Sequence, residues 1–286
     1  MADETGQHAD DIAYLTSLVR AQDRPRYYAT LFAPPAIRAD LFALYGFAAE
    51  IARIPDLVSE PGLGEIRLKW WQEALSTAAH APEAGDTPAV RALGATIAAH
   101  RLPTSVLEAL IAARSFDLYS DPPPTMTDLE GRLGETESAL YQMAAIVMGA
   151  PAADTAEASG HAGVAYGIAR RLASFASDRA RGRTILPADR LAAKGLSSDQ
   201  VLTPSPAPGV AKAVAELARA GRRHLQEAQR FAAHVPPQAR AAFLPLAVAG
   251  PLLACVERMG PEIFHRPAGV SDLEALMRVA WARLRS

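Results

Sequence analysis

The residues best suited to chemistry in this chain fall in two short stretches. In GFAAEIARIPDLVSEPGLGEIRLKWWQEAL, Gly46 to Leu75, an oily segment runs to Asp56, one residue after Pro55. A lone aspartate at that place serves either as the polar end of a helix or as one ligand of a metal. A magnesium ion is held through one or two carboxylates, waters and substrate phosphates, and the other acids nearby are Glu50, Glu60 and Glu65. In the second stretch, Arg170 to Lys194, seven basic residues (Arg170, Arg171, Arg179, Arg181, Arg183, Arg190 and Lys194) outnumber two acids, Asp178 and Asp189. Guanidinium groups grip phosphate oxygens bidentately, so this local excess suits a diphosphate or a lipid headgroup; a solvated loop with scattered arginines is the other reading.

Other constellations carry less. Asp117 and Asp121 have the spacing of a one-faced metal pair, but Asp121 lies directly before Pro122, Pro123 and Pro124, where a helix must stop, and reads as a helix-end residue. The seven histidines are scattered without metal-ligand spacing, and no nucleophile elbow, phosphate loop or zinc-protease motif occurs. Trp70 and Trp71 cannot both face one way on a helix, so one belongs to the core and the other to an edge. The single cysteine, Cys255, rules out an internal disulfide or a thiolate cluster and is expected to be a buried, inert thiol.

The elements that must position these residues are helices. Apolar residues recur at helical spacing almost throughout, and no alternating β-branched run is long enough for a sheet. The spacing predicts helices over about 8–21, 36–54, 63–79, 88–100, 104–119, 126–149 with a break near Gly134, 153–177, 209–233, 236–258 and 270–285. The helix carrying Phe42, Tyr45, Phe47 and Ile51 is apolar on nearly every side and belongs in the middle of a bundle. Breaks at 81–88, at the triple proline and at Thr203 to Gly209 are short enough for surface loops, so residues 1–286 are expected to form a single all-α domain with 1–8 flexible. At 286 residues, half of them hydrophobic, the chain has room for a large core.

A formal charge of −2 argues against an overall attraction to nucleic acid, so any anion site must be local. The acidic start, MADETGQHADDIAYL, lacks an apolar signal core. The longest uncharged run, Ala241 to Val256, has 16 residues broken by Pro245, Gly250 and Pro251, short of the roughly 20 a spanning helix needs. No signal peptide or transmembrane span is therefore expected. The alanine-, arginine- and proline-rich composition suits a bacterium with a GC-rich genome, and the expected location is the cytoplasm, with peripheral contact to the inner face of the membrane.

Read in order, these segments resemble the squalene/phytoene synthase family over about Arg26 to Phe264. The resemblance rests on RYYATLFAPPAIRADLFALYGF (Arg26 to Phe47), IRLKWWQEAL (Ile66 to Leu75), DLEGRLGETESALYQMAAIVMG (Asp128 to Gly149) and RARGRTILP (Arg179 to Pro187). It implies an isoprenoid-synthase helical bundle around a central cavity, where two aspartate-rich motifs hold magnesium and two prenyl diphosphates are joined head to head. The first motif, YAFCRxxDDxxD, falls on Tyr45 to Asp56, where Ala52 and Arg53 replace the paired aspartates and Asp56 alone survives. The second, NxxRDxxxDxxRGRxYLP, falls on Arg170 to Pro187, with Ser174 in place of the first aspartate and Asp178 retained; Arg181, Gly182 and Arg183 are intact.

Losing three of five aspartates while gaining Arg53 and Arg170 leaves the cavity poorly equipped to hold magnesium but able to meet an anion through arginine. By resemblance, Tyr45, Arg53, Arg170, Arg171, Arg181 and Arg183 would contact a diphosphate, and Asp56 and Asp178 are remnant metal positions. The pattern E-I-A-x-I-x-D, V-S-E and G-x-x-R-x-x-W-W is similar to the assembly factor 6 branch known from mitochondrial respiratory complex I, whose members keep the fold without the full aspartate set. The implied function is non-catalytic binding of a prenyl lipid or diphosphate, or of a respiratory-complex subunit. An active magnesium-dependent prenyltransferase is the alternative. A scaffold whose cavity has filled with side chains is a third reading, separated from both by whether Ala52, Arg53, Arg170 and Ser174 line open space.

Overall fold

A computed structural model describes residues 2–80 and 85–285. The described residues are helical with no strand, and their buried side chains form one continuous apolar cluster. Two helices form the axis of the bundle. The first, α3 (Arg38–Ala52), buries Leu41 through Ala48 and Ile51, as expected for a helix apolar on nearly every side. The second, α10 (Ala152–Ala173), packs against α9 (Ala139–Val147), α14 (Pro208–Ala232) and α15 (Ala249–Met259). Its buried face is rich in small residues, among them Ala158, Ala162, Gly163, Ala165 and Ala169, which lets neighbouring backbones come close. At Gly163 a Cβ would lie 2.1 Å from the Ser138 backbone nitrogen, so only glycine fits.

The remaining long helices close around this axis. Against α3 lie α1 (Ala2–Gln22) and α6 (Pro88–His100); α5 (Pro61–His80) packs on α6 and α7 (Thr104–Ala113). On α5, Trp71 is buried and meets Phe47 at a 5.5 Å ring separation, while Trp70 is exposed, dividing the pair as expected. The last helix, α16 (Asp272–Arg285), packs against α2 (Arg24–Leu31) and a 3-10 run, Pro237–Val248.

Several boundaries differ from those expected. The first helix starts at Ala2 rather than at 8. The 36–54 helix stops at Ala52, and α4 (Ile54–Leu57) starts a new turn with Pro55, whose missing N–H is tolerated only at a helix start. The break near Gly134 is a π-turn, Gly134–Ser138, between α8 (Met126–Leu133) and α9. The 153–177 segment splits at Ser174 into α10 and α11 (Phe175–Ala180). Helices α2, α12 (Ala188–Ala192) and α13 (Ser198–Leu202) were not anticipated, being too short for a periodicity to show.

One reading is corrected: Cys255 is half-buried against the core rather than buried. The run Pro237–Phe264 is long and apolar enough to cross a membrane by length and composition alone, and most of its apolar window is buried inside the protein, as in a core helix.

Candidate functional site

The break between α3 and α4 and the break between α10 and α11 face each other across a cavity of about 270 Å³. From the first side come Tyr45, Ala48, Ala49, Ala52, Arg53 and Asp56, from the second Gly167, Arg170, Arg171, Ser174 and Asp178. Arg181 and Arg183 enter from the turn after α11, which Gly182 makes possible with a φ of +73°. The eight residues singled out in the sequence therefore all reach one space. Ala52, Arg53, Arg170 and Ser174 line it, so the cavity is open and is not packed shut by side chains.

The two remnant aspartates meet a cation carried by the chain itself. One Arg183 nitrogen, Nη2, lies 3.0 Å from Asp56 Oδ1 and 3.7 Å from Asp178 Oδ1. Arg181 stands 3.4 Å from the same Asp56 oxygen. Asp178, buried, accepts a hydrogen bond from the Ser174 hydroxyl at 3.1 Å and lies 3.7 Å from Arg171 Nε. Ser174 thus supports the surviving aspartate from the position of the lost one.

Behind this rim is a buried charge network that sequence reading missed. Arg26, from the first turn of α2, is almost completely buried and donates to Glu137 Oε2 at 2.8 Å and to Asp23 Oδ2 at 3.2 Å. Asp23 also accepts from the Tyr166 hydroxyl at 2.6 Å and from Arg170 at 2.8 Å. The Arg26 guanidinium lies within 5.5 Å of the ring centres of Tyr45, Tyr141 and Tyr166, each a cation–π distance. Arg114 reaches Asp117 at 3.1 Å and Glu137 at 3.5 Å, and Arg171 lies 3.6 Å from Asp117. Asp117 therefore faces arginines, whereas Asp121 is exposed in the loop, so the two do not form a pair.

Electrostatics follow from these contacts. Burial alone would raise the Glu137 carboxyl, but Arg26, Arg170 and Arg114 outweigh it and bring it down to about 2. Asp117 is likewise opposed by burial and held low by Arg171 and Arg114. Burial pushes the Tyr45 hydroxyl up to about 12, against the pull of Arg26. Tyr45 is thus a neutral wall and a cation–π partner. In all, seven arginines (26, 53, 114, 170, 171, 181 and 183) line the cavity against five carboxylates (Asp23, Asp56, Asp117, Glu137 and Asp178), an excess of positive charge in a confined space. Two of those arginines, Arg114 and Arg183, each keep a buried Nε–H without a hydrogen-bond acceptor. An orphaned charged donor is costly, so these two guanidiniums are held by their other nitrogens alone.

Magnesium does not fit this donor set. Of the five motif positions only Asp56 and Asp178 are carboxylates, both held by the Arg183 guanidinium; Asp23, Asp117 and Glu137 are paired with other arginines, and Arg53 brings a positive charge to a ligand position. Among the described residues no three carboxylate, imidazole or thiol groups converge as a metal site. One pairing of the scattered histidines does occur outside the cavity: His161 Nδ1 lies 3.0 Å from His224 Nδ1, and His224 Nε2 lies 3.2 Å from Glu130.

Comparison with known proteins identifies the family and the fold. The family description squalene/phytoene synthase matches residues 19–274. The human protein NADH dehydrogenase (ubiquinone) complex I, assembly factor 6 is 26% identical over 252 residues, covering 88% of this chain and 75% of that protein. Its homolog in Drosophila melanogaster is 27% identical over 294 residues, 99% and 85% of the two chains. Among solved structures, a squalene synthase from Alicyclobacillus acidocaldarius superimposes with a TM-score of 0.76 at 23% identity, over 91% of this chain and 96% of that one. A dehydrosqualene synthase in complex with ligand gives a TM-score of 0.81 at 16% identity, over 98% and 99%.

Proposed function

Since the chain belongs to the squalene/phytoene synthase family, we propose that it is a member without the family's metal chemistry, one that acts by binding in the manner of a respiratory complex I assembly factor. The observation that carries this reading is the Arg183 guanidinium set between Asp56 and Asp178, where a magnesium motif would need its carboxylates free. The likeness to assembly factor 6 proteins over most of their length supports the partner class, a subunit of a respiratory complex. On this reading the cavity takes an anionic ligand, a prenyl diphosphate or the phosphate of a prenyl lipid, directly on arginine. The protein works in the cytoplasm at the inner face of the membrane, where such a lipid and such a subunit would both be met.

Two measurements test it. Purified protein incubated with farnesyl or geranylgeranyl diphosphate and magnesium is expected to give no hydrocarbon by mass spectrometry; a squalene- or phytoene-type product would establish the active prenyltransferase instead. Pyrophosphate titrated calorimetrically is expected to bind equally well with magnesium and with a chelator, and more weakly to Arg171→Gln. Binding that requires magnesium would sink the arginine-only site. A pull-down from the native membrane fraction is expected to recover a complex I subunit.

A further inference from the structure

Helix α16 has two apolar faces. Ala275, Val279 and Ala282 pack into the bundle against α2 and the Pro237–Val248 run. On the opposite side Leu273, Leu276, Met277, Trp281 and Leu284 follow the spacing of a helical stripe and are exposed, Leu284 to 85%. A contiguous stripe of large apolar side chains away from a helix's packed face marks a surface that something else covers.

We propose that this stripe docks the protein on an anionic lipid surface, with α16 lying in the plane of the headgroups. This goes beyond the binding role of the cavity and does not depend on it. Charge selects the occupant. At about 100° per residue, Arg278 and Arg285 run along one edge of the stripe and Arg283 along the other. The helix's two acids, Asp272 and Glu274, are both in its first turn and already engaged, by Arg24 and Arg278 respectively. From residue 275 onward the helix carries no acid. Cationic edges on an apolar stripe complement a hydrocarbon layer beneath negative headgroups, and long arginine stems let the charge stay at headgroup depth.

Two further features point the same way. Arg285 places its guanidinium 3.4 Å from the centre of the Trp281 ring, joining the stripe's largest interfacial residue to a cation. Beside the end of α16 opens an apolar groove of about 330 Å³, walled by Val235, Phe243, Leu244 and Ala282, with Arg240 and Arg285 in its lining. A hydrocarbon segment fits such a groove while its phosphate meets the arginines.

The test uses the full chain and vesicles of phosphatidylcholine alone or mixed equally with phosphatidylglycerol. The protein is expected to float with the mixed vesicles, to leave pure phosphatidylcholine largely unbound, and to be released as salt rises. Met277→Glu/Trp281→Glu, two exposed sites, is expected to keep the thermal melt and lower binding at least about tenfold. Arg283→Gln/Arg285→Gln is expected to reduce the preference for the anionic vesicles. The proposal is overturned if the wild type ignores anionic vesicles, if the double glutamate variant binds as well as wild type, or if Leu63→Glu/Ile66→Glu on α5 abolishes binding while the α16 variant does not. Light scattering that shows a wild-type dimer and a monomeric Met277→Glu/Trp281→Glu variant would assign the stripe to a second copy of the chain and equally refute it.

Discussion

Replacing Glu137 by glutamine probes the buried network directly. In the folded protein this carboxyl sits at about 2 against an ordinary 4.5: burial opposes ionisation, and the guanidiniums of Arg26, Arg170 and Arg114 more than compensate. A carboxyl depressed in this way contributes stability that is fully present above the unfolded value and lost as pH falls toward the folded one. At 1.36 kcal/mol per unit the gap is worth about 3 kcal/mol at neutral pH. The side chain is only 9% exposed, so solvent screening takes little from that figure. Removing one partner of a buried ion pair costs about 3–5 kcal/mol, and glutamine, which keeps the shape and one acceptor oxygen, belongs at the low end. Glu137→Gln should therefore unfold at neutral pH with about 3 kcal/mol less stability in urea, a fall in Tm of roughly 5–10 °C. The difference from wild type should shrink with acid, to about half or less by pH 3, as the folded carboxyl begins to take up its proton. A difference that stays constant from pH 7 to pH 3, or a variant as stable as wild type at pH 7, would refute the assignment of a charged Glu137 to the pocket.

Packing yields two further expectations. Gly163→Ala would drive a Cβ to 2.1 Å from the Ser138 nitrogen and 2.3 Å from its Cα, and should cost about 1–3 kcal/mol or more. Gly160→Ala, three residues away on the same helix with nothing within 4 Å, should be neutral or stabilising by about 0.5–1 kcal/mol; equal melts for the two would contradict the close approach of α10 to the π-turn. On α5, Trp71→Ala should cost about 3–5 kcal/mol in chemical denaturation and Trp70→Ala no more than about 1 kcal/mol. The reverse order would show that the buried face of α5 is misassigned.

Long helices could be read from the chain because their apolar spacing outlasts local accidents; α3 and α10 are the clearest cases. What spacing does not encode is where a helix of one or two turns stands, so α2 was missed although Asp23 and Pro25 mark its start. That omission hid the centre of the site. Arg26 opens the quoted stretch RYYATLFAP and Glu137 lies in GETES, but they are 111 residues apart, and nothing local announces that they pair. The usable signal was physical: an arginine beside two tyrosines, directly before an apolar helix, must find carboxylates or stay in water. The eight cavity residues converge because they occupy one family register, which fixes two chain breaks facing each other. The proline stop spoke only for Asp121; Asp117, in the 3-10 turn Arg114–Leu118, faces Arg114 and Arg171, a pairing that spacing alone does not show.

The charge count explains why binding and metal-assisted ionisation are separate uses of this fold. A magnesium site brings its cations from solution and needs carboxylates that are free to receive them. Here the cation is covalently part of the chain: Arg183 occupies both surviving acids, and Ser174 spends its hydroxyl on Asp178. Adding a metal would require displacing a guanidinium from two carboxylates and placing a divalent charge among seven arginines, which Coulomb repulsion in a confined cavity opposes. Adding an anion requires neither. It would meet guanidiniums that keep part of their surface open to the cavity, Arg53, Arg170, Arg171 and Arg181. On the proposed reading the substitutions do more than delete ligands: they leave a cavity suited to an anion held directly on arginine rather than to magnesium.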